Sequence, residues 1–254
     1  MPIVSLIIFS VIFCLQICNI NLANAEDTRI VKIEAKAEDF FTLNEPKVPT
    51  ALFTVGLSGS GKSTWSEVGT KKGWFRIDSD EINIELLKKM KKDHLYNNEL
   101  KRAPSETNSE DIYVLRGKGK EIAIGLIEDS LKMKRSFIFD SLGLDPNLNH
   151  FSQKARDYAF DVWWLVFQPK GIELNRYNLF LREYKGGFAS FKGLTYSTRC
   201  KLLDKMLSDQ MLKFDALMLD ISRGKNTIAN RIFITPVPDL RDLTDVIDPC
   251  ASKK

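Results

Sequence analysis

Apolar positions in this chain follow two alternating rhythms. Short unbroken apolar runs read as buried strands, and longer stretches with an apolar residue every third or fourth position read as helices. Residues 51–55 form a first run, Ala-Leu-Phe-Thr-Val, and Gly56 opens a loop behind it. Residues 63–71 then predict a helix and residues 74–77 a second strand. Residues 80–92 carry Ile82, Leu86, Leu87 and Met90 at helical spacing. The polar stretch 93–108 has no period and reads as an insertion. A helix over 112–133, a strand over 135–140, a helix over 150–160 and a buried strand over 162–167 follow. Residues 171–184 read as helix, 185–196 as loop and 198–219 as helix. A last strand covers 231–235, stopped by Pro236 and Pro238. Strands separated by helices predict an α/β, three-layer fold: a mainly parallel sheet, helices on both faces. Ligands of such sheets sit at the carboxyl ends of the strands.

The amino end breaks this rhythm. Residues 1–25 contain no charged side chain, and residues 3–15 are an apolar run too short to cross a bilayer comfortably. Ala23-Asn24-Ala25 before Glu26 fits a signal-peptidase site, so residues 1–25 are expected to be a signal peptide cleaved after Ala25. An uncleaved anchor and a misplaced start remain as alternatives, because the n-region lacks Lys and Arg. Cleavage predicts a secreted or periplasmic protein with no stable membrane insertion. Residues 26–47 read as a leader that packs loosely, and residues 48–254 as the folded domain.

Composition adds little to this picture. The 254 residues are 44% hydrophobic and 28% charged, which is globular composition. A net charge of +4 is too small an excess to argue for nucleic acid without a clustered basic face. Two cysteines, Cys200 and Cys250, would survive cleavage; they have the option of one disulfide, and without neighbouring histidines they make no zinc site.

The most specific feature is Gly56-Leu57-Ser58-Gly59-Ser60-Gly61-Lys62-Ser63, which matches G-x-x-x-x-G-K-[ST] between a predicted strand and a predicted helix. Glycines let several backbone N–H groups turn toward one anion, and the helix adds its positive end. Lys62 is expected to reach the β- and γ-phosphates of ATP or GTP, and Ser63 to ligate Mg²⁺, with Thr64 adding a bond to phosphate. No Asn-Lys-x-Asp stands ready to read guanine in the manner of a GTPase.

Three further features point to phosphoryl transfer rather than hydrolysis. Arg76-Ile77-Asp78-Ser79-Asp80-Glu81-Ile82 places carboxylates at a strand end, where one can orient or deprotonate a hydroxyl; capping of the next helix by Ser79 or Asp80 is the plainer alternative. Asp140, followed by Ser141, ends another strand, near Mg²⁺ or the acceptor. Arg176 and Arg182 precede Lys185-Gly186-Gly187, which suits a helical lid whose arginine stabilises charge in transfer.

Residues 50–200 resemble the zeta toxin and polynucleotide kinase group of P-loop kinases. The resemblance is carried by residues 56–65, by Ile-Asp-Ser-Asp-Glu-Ile at 77–82, by Phe-Ile-Phe-Asp-Ser at 137–141, and by Arg176 and Arg182 before the two glycines. It implies a nucleotide-dependent kinase acting on a hydroxyl: the 5′ end of a nucleic acid in polynucleotide kinases, a UDP-N-acetylglucosamine-type sugar nucleotide in zeta toxins. By the same resemblance Asp80 is the base and Arg182 the lid arginine. Asn83 stands where these families often carry Arg or Lys. The expected function is an exported kinase of a small-molecule hydroxyl. A nucleic-acid 5′-kinase and a non-catalytic ATP-binding effector are the rival readings.

Overall fold

A computed structural model describes residues 29–89, 110–140, 144, 147–184, 195–224, 228–241 and 250. Residues 1–25, Met90, the insertion at 93–108, Ser141 and Lys185-Gly186-Gly187, all singled out above, lie outside them.

The described chain forms β1 (Arg29–Lys32), α1 (Ala37–Leu43), β2 (Thr50–Val55), α2 (Lys62–Lys71), β3 (Phe75–Asp78), α3 (Ser79–Lys89) and α4 (Glu110–Lys132). It continues through β4 (Phe137–Asp140), α5 (Asn147–Asp157), β5 (Asp161–Gln168), α6 (Ile172–Tyr184), α7 (Tyr196–Ser222) and β6 (Arg231–Pro236). All strand pairs are parallel, in the order β1-β6-β5-β2-β4-β3. Every residue of β2 is buried, as expected of a strand flanked by β5 and β4 and covered on both faces.

The side-chain alternation of β2 sorts the core into two layers. Ala51, Phe53 and Val55 join Ile127 and Leu131 of α4, Phe151 and Ala155 of α5, and Leu203 and Leu207 of α7. Leu52 faces the other way, into a layer with Phe40, Phe41 and Trp65 from α1 and α2. The three-layer fold read from the sequence is the fold observed.

The leader reading changes. Instead of packing loosely, residues 29–32 add a parallel edge strand to β6, and α1 buries Phe40 and Phe41 to 1% and 2% exposure. The sequence rhythm is weak there because a seven-residue helix shows too few turns to display a period. Its two aromatics nonetheless supply core area that Trp65, Trp74 and Phe233 pack against. No described helix is long and apolar enough to cross a membrane.

Candidate active site

The loop between β2 and α2 lies at the carboxyl edge of the sheet. Successive strands diverge to either side of β2 there, toward β4 and toward β5. Gly59 and Gly61 hold φ of 75° and 92°, the left-handed region that a side chain disfavours. At Gly59 space is also closed, since a Cβ would sit 2.4 Å from the Asn175 carbonyl oxygen. Lys62 opens α2 and turns back over the loop. Its Nζ donates to Gly56 O at 3.0 Å, Leu57 O at 2.8 Å and Ser60 Oγ at 3.2 Å. All three ammonium protons are thus held by loop oxygens, and incoming phosphate would exchange for them. Burial pulls Lys62 down to about 8, opposed by Asp140, Asp80 and Asp78 and reinforced by Arg182. Ser63 and Thr64 stand exposed in the first turn of α2, where a helix offers free N–H groups to an anion.

The β3–β4 register sets Asp78 beside Asp140. Arg76 lies two residues before Asp78 on the same face and joins the pair. Its guanidinium donates to Asp78 Oδ2 at 2.5 Å, Asp140 Oδ2 at 3.1 Å and Glu81 Oε1 at 2.8 Å. Thr54 of β2 donates to Asp140 Oδ1 at 3.3 Å. Burial and the neighbouring Asp140 push the Asp78 carboxyl up to about 7 despite Arg76.

Asp78 also takes the capping role that the sequence left to Ser79 or Asp80. Its Oδ1 accepts the backbone N–H of Asp80 at 2.8 Å and of Glu81 at 3.4 Å. Asp78 is therefore committed on both oxygens. Asp80, one turn into the site, is exposed and lies close enough to Lys62 to raise its pKa. Of the three acids in the motif, Asp78 and Glu81 are engaged by Arg76, while Asp80 stands exposed beside Lys62.

The two arginines of α6 part company. Asn175, Asn178 and Arg182 fall at i, i+3 and i+7, on the helix stripe that meets the phosphate loop. Arg182 is exposed there and acts electrostatically on Lys62. Arg176 lies on the neighbouring stripe, buried, and donates to Asp204 of α7 at 2.6 Å. It joins α6 to α7. Asn83 is also turned away from the site: it is buried against α4, where a Cβ on Gly119 would come within 1.9 Å of its Oδ1. Its side chain is therefore a packing feature of α3 against α4.

Sequence reasoning missed Gln210, Asn175 and Asn178, whose amides bind the phosphate loop. Gln210 acts across 152 residues, and its only signal in the chain is a polar residue interrupting the apolar stripe Leu203, Leu207, Phe214 of α7. Arg76 was within the quoted motif, but strand register alone reveals its partner Asp140.

A family model described as an AAA domain matches residues 52–178, half of the chain. The chain belongs to the AAA-domain family. With the phosphate loop built as above, it is a P-loop phosphotransferase of that family. No curated protein matches it. Among solved structures it is similar to one from the PezAT chromosomal toxin–antitoxin system of Streptococcus pneumoniae, at 16% identity over 83% of this chain and 78% of that one, TM-score 0.48. It is also similar to a gluconokinase from Sinorhizobium meliloti, at 13% identity over 70% of this chain and 99% of that one, TM-score 0.33.

Proposed function

We propose that this AAA-domain protein is an exported, ATP-dependent kinase that transfers the γ-phosphate to a hydroxyl of a small acceptor, a nucleotide sugar of the UDP-N-acetylglucosamine type. The observation that carries the phosphotransfer is the division of labour between Asp78 and Asp80. Asp78 is pinned by Arg76 and by two backbone N–H groups, and this fixes the first turn of α3 and with it the exposed Asp80, near Lys62. The acceptor class rests on the resemblance of residues 77–82 and 137–141 to zeta toxins.

Magnesium, which the family implies, finds suitable hard oxygen donors here: the exposed Ser63 hydroxyl and the Asp140 carboxylate, whose remaining lone pairs are not consumed by Thr54 and Arg76. Those two residues would hold it, and it would neutralise phosphate charge during transfer. Lys62 would bind the β- and γ-phosphate oxygens in place of its present loop partners. Arg182 would close on the same phosphates from α6. Asp80 would accept the proton of the attacking hydroxyl as the new P–O bond forms and the bond to ADP breaks.

Export rests on the pattern of residues 1–25. It is supported by a disulfide between Cys200 and Cys250, since such bonds persist in oxidising compartments. ATP is scarce outside cells, so the enzyme would act in a recipient cell or before export.

The test is transfer from γ-labelled ATP with Mg²⁺. Residues 26–254 are offered UDP-N-acetylglucosamine, a 5′-hydroxyl oligonucleotide and a metabolite extract, with Asp80→Asn as control. Label on the sugar nucleotide, lost in the control, is the expected result. Label on the oligonucleotide would replace the acceptor class. ATP binding without transfer to any acceptor would leave a binding protein.

A further inference from the structure

The outer wall of the phosphate loop is held by three carboxamides from two helices distant in sequence. Gln210 of α7 uses both ends on one residue: its Oε1 accepts the Ser58 N–H at 2.8 Å, and its Nε2 donates to Ser58 Oγ at 3.2 Å. Asn175 of α6 donates to Ser58 O at 3.0 Å. One turn on, Asn178 donates to Gly59 O at 3.1 Å and to Pro238 O, beyond β6, at 3.2 Å. The N–H, carbonyl and hydroxyl of Ser58 are thereby all engaged from outside the loop.

The two asparagines carry a cost to stability. The Oδ1 atoms of Asn175 and Asn178 are buried without a partner, a penalty that an apolar residue of similar size would not carry. Their donors point at loop carbonyls, an arrangement that aspartate could not reproduce. A strand-to-helix loop must keep the N–H groups that follow Ser58 turned inward on an anion, while that of Ser58 itself is held outward by Gln210. Fixing the backward-facing carbonyls of Ser58 and Gly59 from outside does this without occupying the inner face. Asn178 also lies one turn before Arg182 on the same stripe, so the bond that shapes the loop sets where that arginine stands.

We propose that Gln210, Asn175 and Asn178 form a carboxamide clamp of positioning residues: Gln210 preorganises the phosphate loop for nucleotide, and Asn178 additionally couples the loop to Arg182. The proposal rests on the phosphotransfer reading for its kinetic half and on nucleotide binding alone for the other. It predicts different kinetic signatures for two variants. Gln210→Met keeps side-chain length at a half-buried position and loses both bonds. Asn178→Leu keeps size and removes an orphaned acceptor.

The experiment measures ATP affinity by calorimetry with Mg²⁺, transfer kinetics and thermal melting on the purified protein. For Gln210→Met the Kd and KM for ATP are expected to rise about tenfold, about 1.4 kcal/mol, while kcat stays within about twofold. For Asn178→Leu, KM is expected to rise and kcat to fall together, with melting lowered, because the Gly59 and Pro238 carbonyls lose a donor while only one orphaned acceptor is removed. A residue that merely packs α7 would lower the melting temperature and leave nucleotide affinity alone. Unchanged ATP affinity in both variants overturns the clamp, whatever their melting temperatures. If the affinity shifts appear but wild-type protein phosphorylates no acceptor, the loop half of the clamp stands and the kinase reading falls.

Discussion

Arg76 of β3 donates to Asp140 on the adjacent strand at 3.1 Å while also holding Asp78 of its own strand at 2.5 Å. One guanidinium, 9% exposed, thus balances two buried carboxylates at the centre of the site. Removing one member of such a group strands the others without a counter-charge. Arg76→Met is therefore expected to lower stability by about 3 kcal/mol. Urea unfolding measures it, and a change below about 1 kcal/mol would show that water already compensates the two acids.

Asp78 and Asp80 are expected to separate in kinetics. Asp80→Asn leaves the loop intact, so ATP affinity should hold while transfer falls about 10² to 10⁴-fold. Asp78→Asn retains an oxygen that can cap α3 and should lose less activity. Single-turnover assays compare them, and the reverse ranking would move the base to Asp78.

Lys62 makes nucleotide binding pH-dependent. Folded, it loses its proton near 8, against 10.5 in the unfolded chain. Between those values the unfolded chain binds more protons, so this group makes stability rise with pH across the window. Below it both states are protonated, and the penalty of a buried ammonium stands in full. ATP affinity runs the opposite way, because phosphate favours the charged amine. Affinity should decline as pH rises above about 8, with proton uptake on binding there. Calorimetry in buffers of different ionisation enthalpy reads that proton directly, and no uptake would mean Lys62 is already charged in the free protein.

The Cys200–Cys250 disulfide closes a loop of 50 residues from α7 to the carboxyl-terminal segment. Loop-closure entropy for that length gives stabilisation of about 4 kcal/mol. Cys200→Ser should lower the melting temperature, and reductant should lower the wild type's but not the variant's. Equal melting with and without reductant in the wild type would show that the bond does not form in solution.

Phe40 anchors α1 against Trp65 and Phe233, with ring centroids 5.5 Å and 5.0 Å away. Phe40→Ala is expected to cost about 3 to 5 kcal/mol. A near-neutral effect would return residues 29–47 to the status of a loose leader.

The sequence by itself determined the alternation of strand and helix from Ala51 onward and the phosphate loop at 56–63. Both are written in local order: a strand or helix displays its period in consecutive residues, and a phosphate loop needs its glycines, lysine and serine on one short stretch. Tertiary structure decided what depends on pairs remote in the chain. It set Arg76 between Asp78 and Asp140 through strand register, turned Asn83 onto Gly119, sent Arg176 to Asp204 and left Arg182 facing the loop. It brought Gln210 back to Ser58, and it put Ala37, Phe40 and Phe41 into the core. Sequence spacing constrains none of these pairs, because two groups far apart in the chain meet only when helices pack on a finished sheet, and that packing is selected by the burial of the whole apolar surface rather than by any local motif.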